Sequence, residues 1–512
     1  MKKAPSGAIQ QRFRSALRQA EHSCHEGANA FPGRGKAGPP ISERGAREME
    51  RYVILGSGAA GKRAAEMIRK GKPDAEVLLI SDEPDPFYFR PMLGEFLARG
   101  MKTEQIRSRD REKLEALGVR ILTGVRATSV SAKKQEVALA GGDRIRFDRL
   151  LVATGRKTAR PKMAGTDARG VVFLDALEDA LKIAALAKGA SSAVVVGSSI
   201  PALDVLRGLR GQGLACTLLV PEERFWPGVL DSVASSILEK RLSQEKIDVL
   251  KSTGLREILS ADGRLEGVTT TAGDRIRTDL LVLAAPQVAH LDFLDPAEFA
   301  LDRGVVVDDS LRTRHETIFA AGDAAQAPLA DGKATVPQPG WLNAWRQGNV
   351  AGRNMIGKEA AYKGVLSLRM KAFDLDVVCL GLSDPSPGPT VREESGGYPY
   401  EELPHIYKKL TYEKGRVAGA VFVGDVAEAG KVEHWIRQGF TVDQCEKKVL
   451  DQMFQPRIIT APALGALCPV CKFQIQVGEG EREGEIVTCP ACGFEFRLEQ
   501  MPNGVFRAVA AG

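Results

Sequence analysis

Arg51-Tyr52-Val53-Ile54-Leu55-Gly56-Ser57-Gly58-Ala59-Ala60-Gly61, with the stretch that follows it to Glu83, decides the fold. Tyr52 to Leu55 is a short apolar run of strand type, and a helical pattern runs from Lys62 to Arg69. Val77-Leu78-Leu79-Ile80 reads as a second strand, and Glu83 stands 22 residues after Gly61. Strand, glycine-rich turn, helix, strand and acid in this order form a dinucleotide-binding fingerprint. Gly56 allows the tight turn, Gly58 lets backbone approach a pyrophosphate, and Gly61 lets helix and strand pack closely. The first-turn amides of Ala59 and Ala60 would face the phosphates, and Glu83 would accept from an adenosine ribose.

Two further segments extend the pattern. Leu150-Leu151-Val152-Ala153-Thr154-Gly155 is a strand ending in a small-residue turn, and Thr317 to Ala325 is another strand with Gly322-Asp323 at its end. Together the three segments resemble the FAD domain of the pyridine nucleotide-disulfide oxidoreductase superfamily, from about Met49 to Asp425. The resemblance implies that Ala153, Thr154 and Gly155 line an FAD site. It also implies that Asp323, after Gly322, holds the ribityl and phosphate part of FAD.

The expected architecture is α/β: two Rossmann-like nucleotide-binding domains, one inserted in the other, a small α+β domain, and a four-cysteine zinc ribbon. The expected boundaries are a disordered tail over 1–48 and an FAD-binding domain over 49–176 and 286–357. An NAD(P)-binding-like domain covers 177–285, the α+β domain 362–440 and the ribbon 463–512. In the α+β domain, Lys408–Tyr412 and Val417–Val423 read as a hairpin turning at Gly415, and a helix is expected from Val442 to Met453.

At 512 residues the chain is too long for one core. No apolar run approaches the ~20 residues of a membrane span. The net charge of +6 is located mostly in the tail: residues 1–48 hold nine Lys/Arg and four acids, or +5. A basic tail on a near-neutral body gives no support for nucleic-acid binding. The tail lacks the apolar core of a secretory signal and has the composition of a disordered segment. Met49-Glu50-Arg51-Tyr52-Val53 also reads as a typical opening for this fold, which leaves a natural start at Met49 as the alternative.

Disulfide reductases of the superfamily carry a cysteine pair on the helix after the second strand. Here that region is Phe87-Tyr88-Phe89-Arg90-Pro91-Met92-Leu93-Gly94-Glu95, and no cysteine lies between Cys24 and Cys216. The Arg90-Pro91-x-Leu93 pattern is similar to rubredoxin and ferredoxin reductases and to the FAD part of the nitrite reductase large subunit. It implies Arg90 at the flavin, no active-site disulfide, and a metal-containing protein as electron acceptor. Many ferredoxin reductases have lysine where Glu95 stands. Gln338-Pro339-Gly340-Trp341 resembles the same families' segment that opens a helix beside the isoalloxazine. It implies flavin contact for Trp341, with Trp345 a core aromatic and Arg346 a surface charge.

The second fingerprint departs from the family form. It reads Gly197-x-Ser199-x-x-Ala202 and then Asp204, and Ser199 puts a side chain where backbone should meet pyrophosphate. Val220 occupies the place of the ribose acid, with Glu222 or Glu223 as substitutes, and Ala284-Ala285-Pro286 lacks the usual glycine. These departures leave two readings. One is an NAD(P)H-reduced enzyme of the cytoplasm. The other is a flavoprotein subunit reduced by a partner, with a degenerate nicotinamide site and a docking ribbon.

Cys468, Cys471, Cys489 and Cys492 form a C-x2-C-x17-C-x2-C set, which is metal spacing and points to a reducing compartment. Two such knuckles converge four thiolates on one ion, structural zinc by expectation and redox-active iron as the alternative. Lys472 replaces the glycine that rubredoxins carry after the first knuckle. As a zinc module beyond the catalytic core, the ribbon is expected to be removable by truncation near Pro462.

Overall fold

In the computed structural model, residues 49–284, 286–332, 334–384, 391–398, 406–454, 465–476, 483–500 and 506–510 are described; the expected tail of residues 1–48 lies outside them. The chain enters through β1 (Arg51–Leu55), α1 (Ala59–Gly71) and β2 (Glu76–Ile80). It continues through α2 (Leu93–Arg99), β3 (Arg120–Leu122) and β4 (Arg149–Val152). β1, β2 and β4 are nearly continuous apolar runs because both faces of their sheet are covered. An inserted unit follows with β5 (Val171–Phe173), β6 (Ser192–Val196), α3 (Ile200–Gly211), β7 (Ala215–Leu219), β8 (Ile247–Leu250) and β9 (Leu280–Leu283). β10 (Ile318–Ala320) then returns to the first sheet, whose order is β10-β4-β1-β2-β3, and α4 (Trp341–Met355) packs on it. The inserted sheet has the order β8-β7-β6-β9-β5. Every pairing in both sheets is parallel.

The inserted unit begins earlier than expected. β5 pairs with β9 in the register Leu281↔Val171, so the boundary drawn at Leu177 cuts off the unit's edge strand. A three-residue strand carries too little pattern to be read from sequence. The strands Arg156–Thr158 and Gln287–Ala289 pair antiparallel where the chain leaves and re-enters the first unit.

Glycine permits two close helix crossings. At Gly348 on α4, a Cβ would lie 2.3 Å from the Ala60 carbonyl oxygen of α1. At Gly208 on α3, a Cβ would lie 2.5 Å from the Leu97 Cβ of α2.

The third sheet is antiparallel, built from β11 (Ser367–Ala372), β12 (Leu375–Gly381), β13 (Val391–Tyr398), β14 (Ile406–Glu413) and β15 (Arg416–Val423) in the order β11-β12-β15-β14-β13. β14 and β15 form the expected hairpin, turning through Lys414 and Gly415, both at positive φ. α5 (Ala429–Gln438) packs on this sheet through Val432 and Trp435. The continuous helix expected from Val442 is broken into a 3-10 turn at Val442–Gln444 and a helix at Lys447–Met453.

The cysteine module consists of β16 (Gly465–Leu467) paired with β17 (Gln474–Gln476), and β18 (Ile486–Thr488), β19 (Glu495–Gln500) and β20 (Phe506–Ala510) in one small sheet. It is not a separable appendage. Its four cysteines, Phe494 and Phe496 belong to the same buried cluster as Phe89, Leu97 and Met370 of the body. Truncation near Pro462 would strip this cover from Phe89, which corrects the expectation of a removable ribbon.

Candidate functional site

The first fingerprint is a cradle with one open wall. Gly56 has φ +104°, and a Cβ there would lie 2.2 Å from the Ala153 carbonyl oxygen. At Gly61 a Cβ would lie 1.9 Å from the Gly56 oxygen. At Gly58, by contrast, nothing stands within 4 Å. The turn and the helix–strand approach therefore each require glycine, and the middle glycine leaves room for a ligand. No side chain caps α1, so the amides of Ala59 and Ala60 open the helix toward that room. The chain fits a phosphate group here.

Asp323 lies on the turn after β10. Its Oδ1 accepts from the Gly340 N–H at 3.1 Å, at the start of α4. Burial pushes the Asp323 carboxyl above the usual range, against the pull of the Gly340 N–H, Arg156 and Arg90. Gly322 at φ +73° packs on Ala60, and its N–H donates to Gln347 at 2.7 Å. Asp323 is therefore a half-buried acceptor on the turn whose Gly322 packs on Ala60 of α1, which suits cofactor hydroxyls.

The other site residues are distributed as follows. Glu83 accepts from the Tyr88 hydroxyl at 2.8 Å and pairs with Arg90, which also donates to the Asp175 carbonyl. Thr154 donates its hydroxyl to the His290 carbonyl at 2.7 Å, so it braces the chain crossing instead of offering a free group. Arg156 was missed by sequence reasoning. Its charge faces Asp323, and its buried Nε has no hydrogen-bond partner. Its signal was an arginine directly after the Ala153–Gly155 turn.

Lys62, Phe89 and Asp110 were also missed. Lys62 is buried, 2.5 Å from Asp110 Oδ2, with its ammonium 5.0 Å from the Trp341 ring centre and 5.8 Å from that of Phe89. Burial alone would raise the Asp110 carboxyl; Lys62 and Ser108 hold it below the usual range. Trp341 opens α4 as expected, but its indole N–H donates to the Cys492 carbonyl at 3.0 Å. Trp345 packs on the cysteine module too: a Cβ at Gly493 would lie 2.5 Å from its ring. Arg346 is not a free surface charge. It pairs with Glu433, a buried carboxylate that also accepts from Arg369 at 2.8 Å and Arg437 at 2.7 Å.

The second fingerprint is partly repaired by its own side chains. Ser199 turns its hydroxyl inward, donating to the Ala284 carbonyl at 3.0 Å and accepting from the Ala202 N–H at 3.4 Å as the cap of α3. The hydroxyl is thus engaged by the Ala284 carbonyl and takes one helix-start amide. Gly197 keeps a glycine backbone at φ +123°. Ser198 donates to Glu222 at 2.9 Å, which brings an acid to the end of β7 beside the fingerprint. Glu222 therefore stands where Val220 offers no carboxylate.

Cys468, Cys471, Cys489 and Cys492 are all buried, and their sulfurs lie within 4.8 Å of one another. The Cys468–Cys492 and Cys471–Cys489 sulfurs are 3.7 and 3.6 Å apart. Tetrahedral thiolate coordination at about 2.3 Å sets sulfurs at about 3.8 Å, so the four fit one ion. Each knuckle closes on itself, Lys472 N–H to Cys468 oxygen at 3.0 Å and Gly493 N–H to Cys489 oxygen at 2.9 Å. Cys216 and Cys379 are buried apart from this set with thiols pushed up by burial, Cys216 to about 11.

Comparison with known proteins agrees with this geometry. The family model for pyridine nucleotide-disulphide oxidoreductases matches residues 50–348, and the chain belongs to that family, whose members are FAD-dependent NAD(P)H oxidoreductases. It is 28% identical over 332 residues to rhodocoxin reductase of Rhodococcus erythropolis, covering 65% of this chain and 78% of the relative. It is 26% identical over 396 residues to NADH-rubredoxin oxidoreductase of Clostridium acetobutylicum, covering 77% and 96%. Among solved structures, the NAD-dependent persulfide reductase of A. fulgidus superposes with a TM-score of 0.70 at 27% identity, over 77% of this chain and 78% of that one. The family model ends well before the cysteine module. No helix among the described residues is long and apolar enough to cross a membrane.

Proposed function

We propose that the chain is an FAD-dependent oxidoreductase. It takes hydride from a reduced nicotinamide nucleotide and passes electrons singly to a metal-containing protein, with no protein disulfide between them. The observation that carries this reading is the open cradle at Gly58, with Asp323 on the turn that packs on Ala60 at the start of α1. The names of the rhodocoxin and rubredoxin reductases support the acceptor class, and the lack of any cysteine from Cys24 to Cys216 supports the absence of a disulfide.

Flavin, when bound, supplies a group that accepts a hydride and returns electrons one at a time. The protein's part is binding and electrostatics. Gly58 admits the pyrophosphate to the α1 amides of Ala59 and Ala60. Asp323, with the charge of Arg156 facing it, would accept hydrogen bonds from the cofactor's hydroxyls. The start of α4 at Trp341 favours negative charge on a reduced ring. Gly197, Ser199 and Ala202 form the turn for the nicotinamide nucleotide, with Ser198 holding Glu222 for its ribose. That acid favours NADH over a 2′-phosphorylated nucleotide. Cys468, Cys471, Cys489 and Cys492 hold zinc, and the same four sulfurs would accept iron.

One observation favours a second reading. The Ser199 hydroxyl already caps α3, whereas α1 is uncapped, as a flavoprotein reduced by a partner subunit would tolerate. Anaerobic titration of the FAD-loaded chain with NADH and NADPH separates the two. Bleaching of the flavin band by NADH at stoichiometric addition supports the first reading. No bleaching by either nucleotide, with normal bleaching by dithionite, supports the second.

A further inference from the structure

The second metal knuckle and the first fingerprint meet at one tryptophan. Trp341 follows Gly340, whose N–H donates to Asp323 at 3.1 Å, and its own indole N–H donates to the Cys492 carbonyl at 3.0 Å. Lys62 follows Gly61 of the fingerprint, and its backbone N–H donates to the Gly58 carbonyl at 3.0 Å. The Lys62 ammonium lies 5.0 Å from the Trp341 ring centre and 5.8 Å from that of Phe89. Phe89 in turn meets the Phe494 ring edge-on, with centres 4.4 Å apart. Phe494 belongs to the knuckle, since its carbonyl accepts from the Cys489 N–H at 2.8 Å. The start of α4 therefore reaches the knuckle directly through Trp341, and the start of α1 reaches it through Lys62 and the two rings.

A further route runs through the short helix Asp110–Ala116. Asp110 pairs with Lys62 at 2.5 Å, while Lys113 and Arg109 pair with Glu495, the residue after Phe494. Lys62 is 4% exposed, and a buried ammonium keeps its place only while its anion and its rings keep theirs. On the other side, so small a module takes its shape from the ion that its four clustered thiolates bind.

We propose that FAD and the metal of the four-cysteine site bind with positive linkage, each holding Trp341 in the place the other requires. This rests on reading the first fingerprint as an FAD site. Metal closes the Cys489–Cys492 knuckle, whose Cys492 carbonyl fixes the indole and whose Phe494 fixes Phe89. The fixed indole keeps the Gly340 N–H on Asp323 and the Lys62 ammonium against its rings. FAD draws on the same ordered groups, so ordering them for one ligand serves the other.

The test uses the full chain. Zinc affinity is measured by competition with a chromophoric chelator, without FAD and with saturating FAD, and rises by about tenfold with FAD. FAD affinity, read from flavin fluorescence, falls by the same factor when zinc is stripped, because linkage is reciprocal. Trp341→Phe keeps a ring and removes the indole N–H. Any direct effect of this change on FAD binding cancels in the ratio of affinities. The ratio therefore drops toward one, while elemental analysis still finds one zinc per chain. The wild-type ratio decides the linkage even where the variant does not fold. Loss of the far-ultraviolet dichroism spectrum on zinc removal would make the effect global unfolding and overturn the route through Trp341, as would a tenfold ratio that persists in Trp341→Phe. A chain that binds FAD, with the same zinc affinity in its presence and absence, overturns this inference alone. A chain that takes up no FAD overturns it together with the proposed function.

Discussion

The indole N–H of Trp341, first residue of the helix that closes the nucleotide cleft, donates to the main-chain oxygen of Cys492, last of the four clustered cysteines, at 3.0 Å. One hydrogen bond thus ties the candidate redox site to the candidate metal site across 151 residues of sequence. Trp341→Phe leaves that buried carbonyl without its donor and should cost ~1–2 kcal/mol. Denaturant melts of the metal-loaded protein measure the loss. A melt superimposable on wild type would place no stabilisation in this bond.

Gly493→Ala should act on the same contact from the other side. A Cβ at Gly493 would meet the Trp345 ring at 2.5 Å, and its φ of +70° strains any side chain. Metal release on mild chelation should be faster by about tenfold, with destabilisation on the order of 1–3 kcal/mol. Retention equal to wild type would mean that Trp345 yields without cost.

The three glycines of the first fingerprint should separate folding from binding. Gly58→Ala places a methyl in open space, so the thermal midpoint of the FAD-free chain should hold while FAD affinity drops. Gly56→Ala adds a methyl 2.2 Å from the Ala153 oxygen at φ +104°, so the fold itself should lose ~1–3 kcal/mol or more. FAD retention through gel filtration and melts of both variants check the contrast.

Asp204 gives a pH signature. Burial pushes its carboxyl up from 3.8 to about 7, over the opposing charges of Arg207 and Lys472, with Glu95 adding to the rise. The folded state therefore binds a proton that the unfolded chain has released, and stability falls as pH rises from about 4 to 7. Asp204→Asn should remove that slope and stabilise the protein at pH 8 by on the order of 1–4 kcal/mol. Melts at pH 5 and pH 8 measure both, and an unchanged slope contradicts the assignment to Asp204.

Glu433 carries the largest expected loss. It is 2% exposed and pairs with Arg346, Arg369 and Arg437, so Glu433→Gln leaves three guanidinium groups facing one another without their anion. Destabilisation of ~3–5 kcal/mol is expected. A thermal midpoint near that of wild type would mean that the arginines reach water.

The glycines, strands and cysteine knuckles were legible because their signals are local. Each depends on residues within a few positions, where backbone sterics or ligand geometry fix the type. The β14–β15 hairpin was legible for the same reason, through Gly415. What escaped depends on partners far along the chain. Arg346 reads as a surface charge until α5 brings Glu433 to it. Lys472 reads as a lost glycine until Asp376 is beside it. Phe494 carries no signal of its partner in the sequence, yet its ring meets Phe89, some four hundred residues earlier. Ser199 reads as an obstruction, and only the fold turns its hydroxyl toward Ala284.

In the proposed reaction hydride passes from nicotinamide to flavin within this chain. Rapid anaerobic mixing of the FAD-loaded protein with NADH, and with NADH deuterated at the transferred position, tests it most directly. The flavin band should bleach in a single turnover, and deuterium on one face should slow the bleaching. Bleaching by dithionite with none by NADH or NADPH would contradict it.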